Sequence, residues 1–114
     1  MPPFTTRDES GVLVITLDDA SALNDFRSNA FRDALYEVID QRESPRVAFD
    51  LGVADYLSSS GVAILVGIKR RVDARGGHLY LARVHPVVQD LLRIMKLTQY
   101  FQFVPEVKDA FAAH

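Results

Sequence analysis

The spacing of apolar residues changes period several times along the chain, and each change predicts a new element. Val12-Leu13-Val14-Ile15-Thr16-Leu17 is a nearly unbroken, β-branched run and predicts a strand. Ser10-Gly11 ahead of it is a turn signal, so Phe4-Thr5-Thr6 is expected to pair with that strand as an opening hairpin. From Asp18 to Asp25 the chain is polar, broken only by Ala20, Ala22 and Leu23, and an irregular connection is expected. A helical period starts at Ser28. Phe31, Leu35, Val38 and Ile39 recur at three- and four-residue steps, while Arg27, Arg32, Asp33, Glu37 and Asp40 take the other faces. Glu43-Ser44-Pro45 ends it, since a residue before proline disfavours helix.

Arg46 to Leu51 predicts a strand whose Val47 to Leu51 portion is short and nearly all apolar, as in strands buried on both sides or close to it. The segment Asp50-Leu51-Gly52-Val53-Ala54-Asp55-Tyr56-Leu57-Ser58-Ser59-Ser60-Gly61 follows and runs into a helix from about Ser60 to Ala74, carrying Val62, Ile64, Leu65 and Ile68. Gly76-Gly77 stops that helix. Gly67 within it costs helix stability and implies close packing, expected to be of helix on sheet. His78 to Ala82 is the next strand. Pro86 suits the first turn of a helix whose apolar face is Val87, Val88, Leu91, Leu92 and Met95. Tyr100 to Val104 predicts a last strand, and Pro105-Glu106 a terminal helix with Val107 and Phe111. Strands alternating with helices imply right-handed crossovers and an α/β fold. The sheet is mixed because the hairpin adds an antiparallel pair.

Composition narrows the function. At 114 residues a single domain spanning 1–114 is expected, large enough to bury a core. Thirteen basic against fifteen acidic residues argue against a nucleic-acid partner. Without cysteine there is no disulfide, thiolate chemistry or Cys-based zinc site. The N-terminus has no signal-peptide core and no apolar run reaches the length of a membrane span, so a cytoplasmic location is expected.

Candidate chemistry is sparse. His78, His85 and His114 show no metal spacing and read as surface or turn histidines. Ser59-Ser60-Gly61 lies at a strand–loop–helix junction, but the Gly-x-Ser-x-Gly elbow of a serine hydrolase is absent. The glycines form neither phosphate-binding fingerprint. Asp50, Asp55, Asp18, Asp19 and Asp25 could pair to hold magnesium, but loop aspartates generally make local turns with the backbone. Lys69-Arg70-Arg71 with Arg75 reads as a solvated helix face, or as a patch facing an acidic partner. The serines themselves support two roles: capping the orphan N–H groups of a helix start, or holding a phosphate there.

These residues resemble a known family. Phe49 to Ala63, with a strand ending Asp50-Leu51, a short loop, serines before Gly61 and an apolar helix, is similar to the STAS domain of the anti-sigma factor antagonist type. Gly76-Gly77-His78-Leu79-Tyr80-Leu81 and Val84-His85-Pro86-Val87-Val88 continue the likeness. Leu97-Thr98-Gln99-Tyr100-Phe101 falls where the family has a small loop, and Leu23-Asn24 where it often has Leu-Asp or Leu-Asn. The resemblance implies a four- to five-stranded mixed sheet with helices packed mainly on one face. It implies a non-catalytic binding switch with no cofactor and no metal. Its partner would be an anti-sigma factor serine kinase, which phosphorylates a motif serine that a phosphatase restores. Carried onto this chain, the acceptor is Ser59, with Ser58 second. The implied partner-binding residues are Asn24, Asp55, Ser58, Ser59, Ser60 and Gly61. One departure stands out: the family's acidic residue falls at Ser58. The alternative is a constitutive STAS interaction module, unphosphorylated, in a stress-signalling or lipid-transport complex.

Overall fold

Ser10 and Gly11 take φ values of 54° and 77°. Two consecutive positive φ angles match the twist of paired strands, so the chain reverses there into a tight hairpin. The computed structural model describes residues 3–25 and 29–112. Strand β1 (Phe4–Glu9) pairs antiparallel with β2 (Val12–Leu17), a longer pairing than Phe4-Thr5-Thr6 suggested. Strands β3 (Arg46–Asp50), β4 (His78–Ala82) and β5 (Gln102–Val104) each lie parallel to the strand before. The result is a five-stranded mixed sheet in the order β1-β2-β3-β4-β5.

The central strands are apolar on both sides because both sides are covered. Leu13, Ile15 and Leu17 of β2, Val47 and Phe49 of β3, and Leu79 and Leu81 of β4 point to the larger core. That core is closed by α1 (Ala20–Asn24), α2 (Asn29–Asp40), α3 (Ser59–Ala74) and α4 (Pro86–Ile94), through Leu23, Leu35, Leu65 and Leu92 among others. The intervening Val12, Val14, Ala48, Tyr80 and Ala82 face a smaller cluster, closed by Val107 and Ala110 beside and within α5 (Asp109–Ala112). Each fully buried Leu or Ile contributes roughly 1.5–3 kcal/mol, so the two-sided sheet is the main source of stability.

Several expectations need correcting. Asp18 to Asp25 is not irregular: Asp19 caps α1 by accepting the Ser21 N–H at 2.9 Å, and Leu23 is buried beneath it. The last strand begins at Gln102, because Tyr100 and Phe101 turn back to bond the Leu97 carbonyl. The final helix begins only at Asp109, whose carboxylate accepts the Glu106 N–H. Gly67 packs helix on helix: a Cβ there would overlap the Tyr36 hydroxyl of α2. The Arg71 guanidinium lies 4.1 Å from the Tyr36 ring centre and pairs with Asp40, completing the seam between α2 and α3. The expected helix start at Ser28, with Arg27, lies outside the described residues. Among the described residues no helix is long and apolar enough to cross a membrane.

Candidate functional site

The site is built where β3 hands over to α3. Leu51 N–H bonds the Ala82 carbonyl at 3.0 Å, extending the ladder one residue past β3. The loop then bends twice. Asp50 accepts the Gly52 N–H at 2.9 Å, and the Leu51 carbonyl accepts the Ala54 N–H at 2.9 Å. Leu51, Ala54 and Leu57 recur at three-residue steps and are buried, which pins the loop from below. Val53, Asp55 and Tyr56 are thereby left exposed on its outer side.

Asp50 is 7% exposed, and its second oxygen accepts from Arg83 at 3.2 Å. Gly52 makes this possible, since a Cβ there would sit 2.7 Å from the Arg83 Cζ. The aspartate is thus a turn-former and a paired charge. Among the described residues no three His, Asp or Glu side chains gather into a metal cluster.

The three serines divide by position. Ser58 is the N-cap of α3: its extended backbone leads in, and its Oγ accepts the Gly61 N–H at 3.1 Å. The same hydroxyl donates to the Asn24 carbonyl at 3.0 Å. In return the Asn24 side chain accepts the Ser58 N–H at 2.8 Å and donates to the Tyr56 carbonyl at 3.2 Å. Each side chain therefore grips the other's backbone, tying α1 to the start of α3. Gly61 is buried inside this clasp, where a Cβ would lie 2.5 Å from Asn24 Oδ1 and 2.9 Å from Leu57 Cδ1. A side chain at 61 would expel Asn24, so the glycine is a packing requirement.

Ser59 is the first residue of α3 and is exposed; Ser60 is half-buried. Neither hydroxyl has a hydrogen-bond partner among the described residues. Gly61 N–H is taken by Ser58 Oγ and Val62 N–H by the Ser58 carbonyl at 3.0 Å. The N–H groups of Ser59 and Ser60 are the ones left over at the positive end of the helix. Beside them lies a hollow of about 240 Å³, lined by Asp25, by Asn29, Arg32 and Tyr36 of α2 and by Ser60, Ala63 and Ile64 of α3.

Of the residues expected to act together, Asn24, Ser58, Ser59, Ser60 and Gly61 meet at this junction, while Asp55 lies exposed on the loop that leads into it. The sequence reading missed Tyr56, Val53 and Arg83. An inside period of three through Leu51, Ala54 and Leu57 was the signal that Val53 and Tyr56 face out. The basic run is largely structural. Lys69 pairs with Asp73, Arg71 with Asp40, and Arg75 Nε donates to the Arg42 carbonyl. His85 is the N-cap of α4, its Nδ1 accepting the Val87 N–H at 3.1 Å, and His78 lies exposed at the start of β4. His114 lies outside the described residues. Asp19, which positions α1, has its carboxyl held below the usual carboxylate range by the Ser21 hydroxyl and then by the Ser21 N–H.

Comparison with known proteins agrees with this architecture. An anti-sigma F factor antagonist of Paenibacillus polymyxa is 24% identical over 95 residues, covering 83% of this chain and 77% of that one. The structure of an anti-sigma-factor antagonist (STAS) domain protein from Planctomyces limnophilus superposes with a TM-score of 0.81 at 17% identity, covering 96% of each chain. The Bacillus cell fate determinant SpoIIAA, in its phosphorylated form, superposes with a TM-score of 0.68 at 18% identity, covering 93% of this chain and 95% of that one. The model of the STAS domain family matches residues 4–110, nearly the whole length, and the chain belongs to that family.

Proposed function

We propose that the chain is an anti-sigma factor antagonist: a non-catalytic binding switch that engages an anti-sigma factor serine kinase and is released by phosphorylation of Ser59. The observation that carries the reading is the contrast between adjacent hydroxyls. Ser58 Oγ is committed to two hydrogen bonds, so modifying it would break the cap and the Asn24 clasp. Ser59 is exposed at the first position of α3 and uncommitted. The name of the Paenibacillus relative and the phosphorylated state of the SpoIIAA neighbour support the same reading.

The physics of the switch is local. A phosphate on Ser59 adds about −1.5 to −2 charges at neutral pH. The leftover N–H groups of Ser59 and Ser60 and the helix dipole accommodate that charge within the fold. At an interface the same group must be paired or desolvated. A penalty of about 3 kcal/mol lowers affinity more than a hundredfold. Exposed Asp55 and Tyr56, with Ser59 and Ser60, form the face presented to the partner, and a phosphatase resets it.

Incubation with a cognate anti-sigma kinase and ATP, read by intact mass, tests this. Wild type gains one phosphate and Ser59→Ala gains none. A Ser59→Ala protein that is still phosphorylated at a site other than Ser58 or Ser60 would sink the assignment. Ser59→Asp should weaken kinase binding, and unchanged affinity would refute the charge argument. The second reading, a constitutive interaction module, rests on the family resemblance, by which Ser58 stands where an acidic residue is expected. It predicts a stable complex with its partner, no phosphate transfer and no effect of Ser59→Asp.

A further inference from the structure

At the far end of α4, away from the serine junction, the chain does something costly. Both α3 and α4 close with the same hydrogen-bond pattern. In α3, Gly77 N–H reaches back to the Val72 carbonyl at 2.9 Å and Gly76 N–H to Asp73 at 3.0 Å, with Gly76 at φ 71°. In α4, Leu97 N–H reaches the Leu92 carbonyl at 2.8 Å and Lys96 N–H reaches Arg93 at 3.0 Å, with Lys96 at φ 60°. That left-handed position favours glycine, as α3 illustrates, and a side chain there is strained. Strain held in this way points to a use for the side chain.

The surroundings of Lys96 say what kind of use. Ile94 is 77% exposed, Met95 49% and Tyr100 37%, although Val88 and Leu92 already complete the core face of α4. Val87, also exposed, shares the side of the helix with Ile94 and Met95 by its seven- and eight-residue spacing. Cations frame the patch. Lys69 lies 5.4 Å from the Tyr100 ring centre, and Arg93 and Lys96 line one shallow hollow with Thr98 and Gln99. Lys69 is paired with Asp73 and Arg93 with Asp90, whereas Lys96 has no ion pair among the described residues.

We infer that Ile94, Met95, Lys96 and Tyr100 form a second docking surface, whose occupant is an acidic, amphipathic protein segment that seats apolar side chains on Ile94 and Met95 and a carboxylate on Lys96. Charge complementarity selects this occupant. With Lys69 and Arg93 already paired, Lys96 leaves one unmatched positive charge among the described residues of the patch, beside Ile94 and Met95, and a peptide can match it with one carboxylate. Exposed apolar area rimmed by polar groups is the usual signature of such a surface. The inference is independent of whether Ser59 is phosphorylated.

The test uses the full chain as bait for a phage-displayed library of twelve-residue peptides. Recovered sequences should carry Asp or Glu beside Leu, Ile or Phe, and a synthetic copy should shift the NMR signals of residues 94–100. Ile94→Ser and Lys96→Glu should each weaken that peptide at least tenfold. Lys96→Gly separates binding from folding: the melting temperature should hold or rise while affinity falls several-fold. The inference is overturned if no peptide is enriched, or if the enriched peptides bind the Ile94→Ser/Lys96→Glu protein equally well. It is also overturned if the patch binds phosphatidylglycerol vesicles in preference to acidic peptides, or if sedimentation shows a dimer that Ile94→Ser dissolves.

Discussion

The clasp between Asn24 and Ser58 makes a quantitative prediction about whether the junction behaves as one unit. Ser58→Ala removes the cap on Gly61 N–H, worth about 1 kcal/mol, and the bond to the Asn24 carbonyl, worth about 1 kcal/mol. The expected loss is about 2 kcal/mol. Asn24→Ala removes the acceptor of the Ser58 N–H, about 1 kcal/mol, and the more exposed bond to the Tyr56 carbonyl, about 0.5 kcal/mol. The side chains bond each other's backbone, so neither substitution directly deletes the other's hydrogen bonds. Independent bonds would give about 3.5 kcal/mol in the double variant. A clasp that holds two segments in register gives less, because the second removal acts on an already loosened junction. The expectation is about 2.5 kcal/mol, a coupling of about 1 kcal/mol.

Urea denaturation of the four proteins measures this, with unchanged slopes as the check that only stability moved. At this chain length about 4–5 °C of melting temperature per kcal/mol is expected, so the single variants should fall by roughly 6–10 °C. Hydrogen exchange at the Ser58 amide should accelerate more than that of the core strands in Asn24→Ala. Additivity within about 0.4 kcal/mol would refute the clasp as a unit and leave two separate bonds.

Two further outcomes follow from the same geometry. Gly61→Ala should destabilise by about 0.5–2 kcal/mol, because eviction of Asn24 and crowding of Leu57 outweigh the roughly 1 kcal/mol that alanine contributes in a helix; a stabilised variant in urea denaturation would contradict the packing. Asp19 has a folded-state pKa below the ordinary 3.8, so its contribution is complete above that value and disappears as pH falls through the lower, folded midpoint. NMR titration should therefore show the Asn24 side-chain signals moving only in the acid range, and Asp19→Asn should abolish that movement.

The strands were legible because covering both faces of a sheet demands nearly continuous apolar runs, and Val12 to Leu17 and Val47 to Leu51 come close, broken only by Thr16 and Asp50. The long helices were legible from their period. What hid was short. α1 spans only Ala20–Asn24, too few residues to show a period, and its cap on Asp19 looks like any loop aspartate. β5 is hard to bound because Tyr100 and Phe101 are β-formers that the structure uses in a turn. At the site, the serine-rich junction was evident, but the order of duties among the serines was not. Which serine caps the helix depends on where Asn24 lies, thirty-four residues away from Ser58. Likewise, nothing local tells that Gly67 faces Tyr36 and not the sheet.

By the family resemblance Ser58 stands where an acid is expected, and serine and aspartate differ little as caps but much as neighbours. Aspartate caps a helix as well as serine, and its charge at the helix start adds about 0.3–1 kcal/mol. It has no proton to give the Asn24 carbonyl, which costs about 1 kcal/mol and sets two acceptors against each other. Ser58→Asp should therefore be near neutral or lower stability by up to about 1 kcal/mol, clearly less than the 2 kcal/mol of Ser58→Ala. If Ser58→Asp proved as damaging as Ser58→Ala, the cap would not be what Ser58 supplies. If it proved neutral, the serine would add no net stability over the acid. Its effect would then be to leave the hydroxyl of Ser59 without a carboxylate beside it. Comparing kinase binding and phosphate transfer between Ser58→Asp and wild type then asks whether that missing charge sets how readily the proposed switch is thrown: faster transfer with Ser58→Asp supports it, and an unchanged rate removes charge at position 58 from the mechanism.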